Sequence, residues 1–207
     1  LTIISLFLTS FVSAQTSPIF LKHLNPDFIK YQQKLNEKNV LSATPEGHGL
    51  GYIPHPFDFS YLKEEERPPE IHFLGAPPSS YDLRTYDRLT PIKNQGSYGT
   101  CWAFATYGSL ESWLKLSESE EYDFSENHIA NLLSKDYDDG YDREFGGGGN
   151  YLMSTAYLTR WSGPVYEDDD PYPRKGASTG TEIVRKHVQN VLFLPPRSSS
   201  TDNDSIK

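Results

Sequence analysis

Gln95-Gly96-Ser97-Tyr98-Gly99-Thr100-Cys101-Trp102-Ala103-Phe104-Ala105 is the stretch on which the fold turns. A glycine-rich loop here runs into an apolar segment at 101–116. Trp102, Ala103, Phe104, Tyr107, Leu110, Trp113, Leu114 and Leu116 cover more than half of a helical circumference, which predicts a central, buried helix. The loop delivers Cys101 to the first turn. A helix N-terminus carries roughly half a positive charge, and that field favours a thiolate. The thiolate is the nucleophilic form of cysteine. Free N–H groups of the first turn are donors for a developing oxyanion. Gln95 precedes Cys101 by six residues and can aim a side-chain N–H at the same point. Gly96 and Gly99 allow close approach of backbone or ligand. A lone cysteine on an apolar helix is more often an inert core residue, so the surroundings decide between the two.

Downstream, Ser125 caps a predicted helix over 126–133 that carries His128, Ile129, Leu132 and Leu133. A third predicted helix, 150–161, follows the four glycines 146–149. Residues 89–96 read as a strand-like piece. Acidic clusters at 118–123, 136–144 and 167–170 read as solvated loops. Residues 182–194 have mixed character, the start of either a strand or a helix. Upstream, residues 15–77 read as an extension. Asn25-Pro26 opens a short helix with Phe28, Tyr31 and Leu35 on one side. After Asn39 the periodicity dissolves at Pro45, Gly47, Gly49, Gly51, Pro54 and Pro56. Phe57, Phe59, Tyr61 and Leu62 form an extended aromatic piece expected to touch the body. A charged run at 63–67 and a strand-like piece at 71–74 follow. Such a segment can wrap a surface but cannot build its own core.

The whole chain has 207 residues, room for one ordinary domain with extensions. Its net charge of −9, from 19 Lys+Arg against 28 Asp+Glu, disfavours a nucleic-acid partner. A single cysteine excludes an internal disulfide and a thiolate zinc site. No cofactor or metal is expected. Asp136, Asp138, Asp139 and Gly140 fail the spacing of a calcium loop, because Lys135 falls at its first position and Gly146 at its last. The four glycines are no phosphate cradle, since no Lys-Ser/Thr follows. Residues 1–12 are apolar, and Val12-Ser13-Ala14 precedes Gln15. That pattern predicts a signal peptide over 1–14, incomplete at its front because Met153 is the single methionine. The run is shorter than the ~20 residues of a membrane span. The mature chain is therefore expected to carry no membrane span and to be exported: secreted or extracellular, or periplasmic or vacuolar–lysosomal.

At the cysteine the resemblance becomes specific. The chain resembles the papain-like cysteine peptidases, the family of the cathepsins. Their nucleophile pattern is Gln-Gly-x-Cys-Gly-[Ser/Ala]-Cys-[Trp/Tyr]-Ala-Phe. Gln95, Gly96, Gly99, Cys101, Trp102, Ala103 and Phe104 match it in register. Ser80-Tyr81-Asp82-Leu83-Arg84 resembles the mature N-terminus, and Thr90-Pro91-Ile92-Lys93-Asn94-Gln95 the run into the active site. Phe124-Ser125-Glu126-Asn127 resembles the Leu-Ser-Glu-Gln motif. Gly148-Gly149 falls at the paired glycines of the cleft, and 166–172 resembles the stretch before Tyr-Pro-Tyr. The similarity covers about 79–175.

The resemblance implies an α+β, two-lobed papain-like fold, with residues 78–207 as its mainly helical lobe and the start of its β-rich lobe. It implies Cys101 as nucleophile, with Gln95 and the Cys101 N–H as oxyanion hole. Gly99, Gly148 and Gly149 would bind a polypeptide substrate through backbone, and Trp102 would pack beneath the nucleophile. Two departures stand out: Tyr98 replaces the motif's first Cys, and Thr100 replaces Ser or Ala. The lost Cys normally pairs with one just before the paired glycines, where Gly146 stands here. Both partners are absent together, which fits a bacterial-type branch better than a lysosomal one. The family's catalytic His and Asn lie ~130–150 residues after the Cys, beyond Lys207, so this chain alone is expected to be inactive. Residues 15–77 would be a prosegment, running through the cleft opposite to a substrate. The expectation is a secreted cysteine endopeptidase precursor working through an acyl-enzyme. The alternatives are a non-catalytic papain-fold binding or inhibitory protein, and the peptidase part of an exported, adhesin-like multidomain protein.

Overall fold

The computed structural model of the chain describes residues 24–37, 43–63, 80, 82–191, 193 and 199. The expected signal segment at 1–14, the strand-like piece at 71–74, and Tyr81 lie outside these residues. Among the described residues the helices are α1 (Pro26–Asn36), α2 (Cys101–Glu118), α3 (Glu126–Leu132) and α4 (Tyr151–Thr159), with 3-10 turns at Ser60–Lys63 and Leu83–Tyr86.

Side-chain chemistry sets most helix starts. Asn25 Oδ1 accepts from the Asp27 N–H at 3.0 Å, with Pro26 in the first helical position. Ser125 Oγ accepts from His128 N–H at 2.9 Å. Asn150 Oδ1 accepts from Leu152 and Met153 N–H at 3.0 and 3.3 Å. Helix α2 differs: Thr100 precedes it without a capping bond from its side chain. The Thr100 hydroxyl instead meets the Tyr172 hydroxyl at 2.7 Å.

Helices α3 and α4 both pack on α2. The core joins Trp102, Ala103, Tyr107 and Leu114 of α2 to Ile129 and Ala130 of α3 and to Met153, Tyr157 and Leu158 of α4. Phe124 and Phe145 close it from the loops. Helix α2 is central, as its pattern predicts, but its burial is narrower. Trp113 and Leu116 are 59% and 50% exposed. The outer face along 101, 105, 108, 112 and 116 is half-buried or open, and Cys101 stands at its top.

The expected strand-like piece at 89–96 is irregular, as is 182–191, which forms neither strand nor helix. Only isolated bridges occur among the described residues. Side chains hold both stretches. Arg185 lies over the Tyr166 ring at 4.3 Å and Lys186 over Tyr122 at 4.7 Å. Thr90 Oγ1 donates to Glu111 at 2.7 Å.

Lys93 does most of the anchoring. Its ammonium donates to Glu111 and Glu126 at 3.0 Å, to Asp123 at 2.7 Å, and to the Phe124 carbonyl at 3.1 Å. Glu111 and Glu126 are buried. One cation thus faces two buried carboxylates, and full ionisation of both leaves an uncompensated negative charge. Burial pushes the Glu126 carboxyl up to about 7, against the pull of Lys93. A folded-state pKa above the ordinary 4.5 means that the folded chain holds this proton more tightly than the unfolded one. The resulting stability is fully present below pH 4.5 and is lost as pH rises through about 7. In urea titrations at pH 5 and pH 8, Glu126→Gln should remove this contribution. The stability of the native chain relative to the variant is then higher at pH 5 than at pH 8; an equal difference at both would refute it.

Candidate active site

The loop before α2 is held at both ends. The Tyr172 hydroxyl donates to the Gln95 carbonyl at 2.7 Å and meets Thr100 Oγ1 at the same distance. Gly96 adopts φ +62, a left-handed conformation suited to glycine. Cys101 is a free, half-buried thiol at the first residue of α2. The first backbone bonds of the helix reach the Thr100 carbonyl from Ala103 at 2.9 Å and Phe104 at 3.4 Å. No hydrogen bond from the Cys101 N–H is found among the described residues.

Behind Cys101, the Trp102 ring packs on Gly149. A Cβ on Gly149 would sit 2.6 Å from the ring, so only glycine fits. Gly148 adopts φ +87, and a Cβ there would meet Ile53 at 2.8 Å. The Gly99 N–H donates to the Gly146 carbonyl at 3.2 Å. Tyr98 and Gly146, the positions at which the resemblance implies a lost disulfide, also touch: a Cβ on Gly146 would lie 3.1 Å from the Tyr98 ring. Tyr98 meets Phe145 edge-on at 5.2 Å between centroids.

Residues of the N-terminal extension occupy this surface. The Gly49 N–H donates to the Gly96 carbonyl at 3.3 Å. The Gln95 Nε2 donates to the Gly49 carbonyl at 2.6 Å and to the Tyr98 carbonyl at 2.9 Å. The Gln95 amide, expected at an oxyanion, is therefore engaged by the extension. A Cβ on Gly51 would lie 2.2 Å from the Gly99 oxygen, and one on Gly49 2.4 Å from the Tyr98 carbonyl carbon. The chain then pairs with Gly149 as a parallel bridge. Gly149 N–H donates to the Gly51 carbonyl at 2.8 Å, and Ile53 N–H donates to the Gly149 carbonyl at 2.9 Å. Further on, His55 is buried between Phe59 and Tyr151, with ring centroids 5.1 and 4.9 Å away. Its Nε2 hydrogen-bonds the Tyr151 hydroxyl. Phe59 stacks on Phe193 at 5.3 Å. The Asn25 side chain donates to the His55 carbonyl at 3.0 Å, which fixes α1 beside this end.

Cys101, Gln95, Gly99, Gly148 and Gly149 thus share one surface through the contacts of loop, Trp102 and extension. None of the described histidines hydrogen-bonds Cys101. His128 is buried on α3, bonded to Tyr157 at 2.5 Å and Glu182 at 3.1 Å, and burial lowers its pKa. His128, Asp170 and Glu182 could reach a common ion, but each is already hydrogen-bonded. His187 packs on Trp161 at 4.7 Å. Sequence reasoning missed His55, Tyr151 and Arg143. His55 sits between prolines with no periodic signal, and Tyr151 stands in the predicted helix 150–161 with nothing to mark a partner 96 residues away. Arg143 hides in an acidic run.

The profile described as "Papain family cysteine protease" matches residues 77–201. A Blomia tropicalis cysteine protease is 32% identical over 148 residues, covering 70% of this chain and 44% of that protein. Mouse cathepsin K is 31% identical over 146 residues, covering 70% and 41%. The chain thus spans less than half of these relatives. Among solved structures, the cysteine protease and lectin-like domains of Cwp84, a surface layer associated protein of Clostridium difficile, superpose with TM-score 0.60. Identity there is 25%, over 80% of this chain and 34% of the other. A structure from work on the mite allergens Blo t 1 and Der p 1 gives TM-score 0.50 at 27% identity, over 78% and 56%.

The contact between Gly51 and Gly99 generates a sharp expectation. Gly51→Ala should expel residues 49–53 from the surface, so that chymotrypsin cuts after Tyr52 at least about tenfold faster. Gly108→Ala on α2 meets nothing within 4 Å and serves as the control, stabilising by up to ~1 kcal/mol. Unchanged cleavage in Gly51→Ala would mean that the close approach is not formed.

Proposed function

The chain belongs to the papain family of cysteine proteases, and from that premise we propose that it is a secreted cysteine endopeptidase precursor whose residues 15–77 form a prosegment lying across its own cleft. The parallel pairing of Gly51 and Ile53 with Gly149 carries this reading. Extended peptide on that edge is what a protease cleft binds. A substrate running the other way would pair antiparallel on the same backbone groups. The prosegment therefore occupies the edge in the reverse sense and takes the Gln95 amide with it.

Once that segment is gone, Cys101 attacks the substrate carbonyl as a thiolate. The bond from sulfur to carbon forms, and the carbonyl electrons move to oxygen. The Gln95 Nε2–H and the Cys101 N–H stand ready to hold that oxyanion. Collapse breaks the C–N bond; the amine leaves with a proton from the family's histidine, and water then releases the acyl group. Trp102 and Gly149 hold nucleophile and substrate edge in register. In the family pattern the His and Asn lie ~130–150 residues after the nucleophile. The binding-protein alternative is not favoured, because Gln95 and Cys101 are both retained.

In an active preparation, Cys101→Ser should lower kcat/KM on a peptide by at least about 10³-fold. Iodoacetamide should alkylate Cys101 there and abolish cleavage. Cleavage that survives either alkylation or Cys101→Ser would overturn the reading.

Acid should loosen the prosegment. Burial holds the His55 imidazole below its ordinary 6.5, while the Phe57 backbone and the Asp58 charge pull the other way. Tyr151, Phe59 and Asp58 are the neighbours in question. The docking stability tied to neutral His55 is present above pH 6.5 and is lost as pH falls through the lowered value. Chymotryptic cleavage after Tyr52 should therefore be faster at pH 5 than at pH 7.5, when corrected for the pH dependence of chymotrypsin. His55→Phe should remove the difference; a difference of the same size in that variant would exclude His55 as its source.

A further inference from the structure

Arg143 is buried, 9% exposed, in a loop that the mechanism above does not use. Its three nitrogens all donate to backbone carbonyls: Nε to Gly148 at 2.5 Å, Nη1 to Ala130 at 3.0 Å, and Nη2 to Phe145 at 2.5 Å. The guanidinium lies over the Trp102 ring, 5.2 Å from its centroid. Among the described residues it pairs with no carboxylate, although an acidic run surrounds it in sequence. Burial alone draws its pKa down to about 10, so it stays charged. A buried, unpaired cation is expensive and rare. Pure packing would be served better by an apolar side chain.

The targets of its bonds show what it holds. Gly148 is the first of the two edge glycines and has φ +87. With its carbonyl tied to Nε, the peptide unit joining Gly148 to Gly149 cannot turn. That unit contains the Gly149 N–H, the donor to Gly51. Phe145 precedes Gly146, whose carbonyl takes the Gly99 N–H. Ala130 anchors the same guanidinium to α3. Its face covers Trp102, the residue after the nucleophile. One side chain therefore reaches the peptide edge, the loop partnered with Gly99 and the ring beneath Cys101.

We propose that Arg143 is a positioning residue, which orients the Gly148–Gly149 peptide edge relative to Cys101 by clamping the carbonyls of Gly148, Phe145 and Ala130 over the Trp102 ring. The clamp spans the loop that the family otherwise fastens by a disulfide at the positions of Tyr98 and Gly146. It replaces a covalent tie with three divergent hydrogen bonds. Lysine cannot substitute, because a single ammonium on a flexible stem cannot reach three carbonyls in one plane. The substrate-binding half of this inference rests on the proposed peptidase function; the clamp itself does not.

Amide hydrogen exchange on the 207-residue chain separates the two. In Arg143→Lys, the Gly149 and Ile53 amides should exchange at least about tenfold faster, while Phe104 and Tyr107 in α2 keep their protection. Unchanged exchange at Gly149 and Ile53 overturns the clamp. Equal acceleration in α2 also overturns it, because Arg143 would then only support the fold. In an active preparation, the same variant should raise KM for a tetrapeptide substrate at least about tenfold, with kcat and the hydrolysis of a short ester within about twofold. A fall in kcat on both substrates with KM unchanged overturns the positioning role. A native preparation that cleaves neither substrate refutes the peptidase reading and leaves the exchange result to judge the clamp.

Discussion

The contact between the Trp102 ring and the Gly149 backbone is the constraint on which the rest of the site depends. No Cβ fits between them, so the edge lies directly on the helix that carries Cys101. This fixes the distance between Cys101 and the backbone of residues 51–53 paired with Gly149, without any side chain of that segment taking part. It also explains why the glycines fall where they do. Gly149 yields space to an indole, Gly99 to the Gly146 carbonyl, and Gly51 of the extension to Gly99. Three backbones stack closely because none of them carries a side chain at the crossing.

That arrangement needs a rigid approach to α2, and charge supplies it. Lys93 lies two residues before Gln95. Its ammonium binds α2 through Glu111, α3 through Glu126 and the intervening loop through Phe124. Removing the cation would leave two carboxylates buried without compensation, which costs about 3–5 kcal/mol for a single broken pair. The loop is thus pinned at its start by a buried ion cluster and at its end by the Tyr172 hydroxyl. Gln95 sits between these two fixed points, and its amide donates to the Tyr98 and Gly49 carbonyls.

Local chemistry was the readable part of this sequence. Asn25 and Ser125 announce helix starts because capping is a contact within three residues. The register from Gln95 to Phe104 identifies the family because it is one contiguous pattern, legible without any tertiary contact. Non-local placement was not readable. Residues 89–96 read as strand-like, yet among the described residues no strand offers them an edge, and side chains hold them instead. Trp113 and Leu116 count toward a buried helix by pattern, but burial depends on what packs against that face. Arg143 looks like one charge among Asp136, Asp138, Asp139, Asp142 and Glu144. Only the folded loop shows that it turns inward to carbonyls while the acids face water.

The departures from the family pattern are coupled through space, and that makes them intelligible. Tyr98 and Gly146 stand where two cysteines would be joined, and the tyrosine ring covers the space left by the missing side chain at Gly146. The same ring meets Phe145, whose carbonyl is held by Arg143. Thr100 supplies a hydroxyl that alanine would lack, and Tyr172 uses it. A large aromatic beside a glycine, a threonine bonded to a tyrosine, and an arginine over three carbonyls thus form one continuous set of contacts around the loop. A disulfide fastens two points and tolerates variation around them. Here the loop is held by packing and hydrogen bonds instead, and Arg143 links that set to the Gly148 carbonyl.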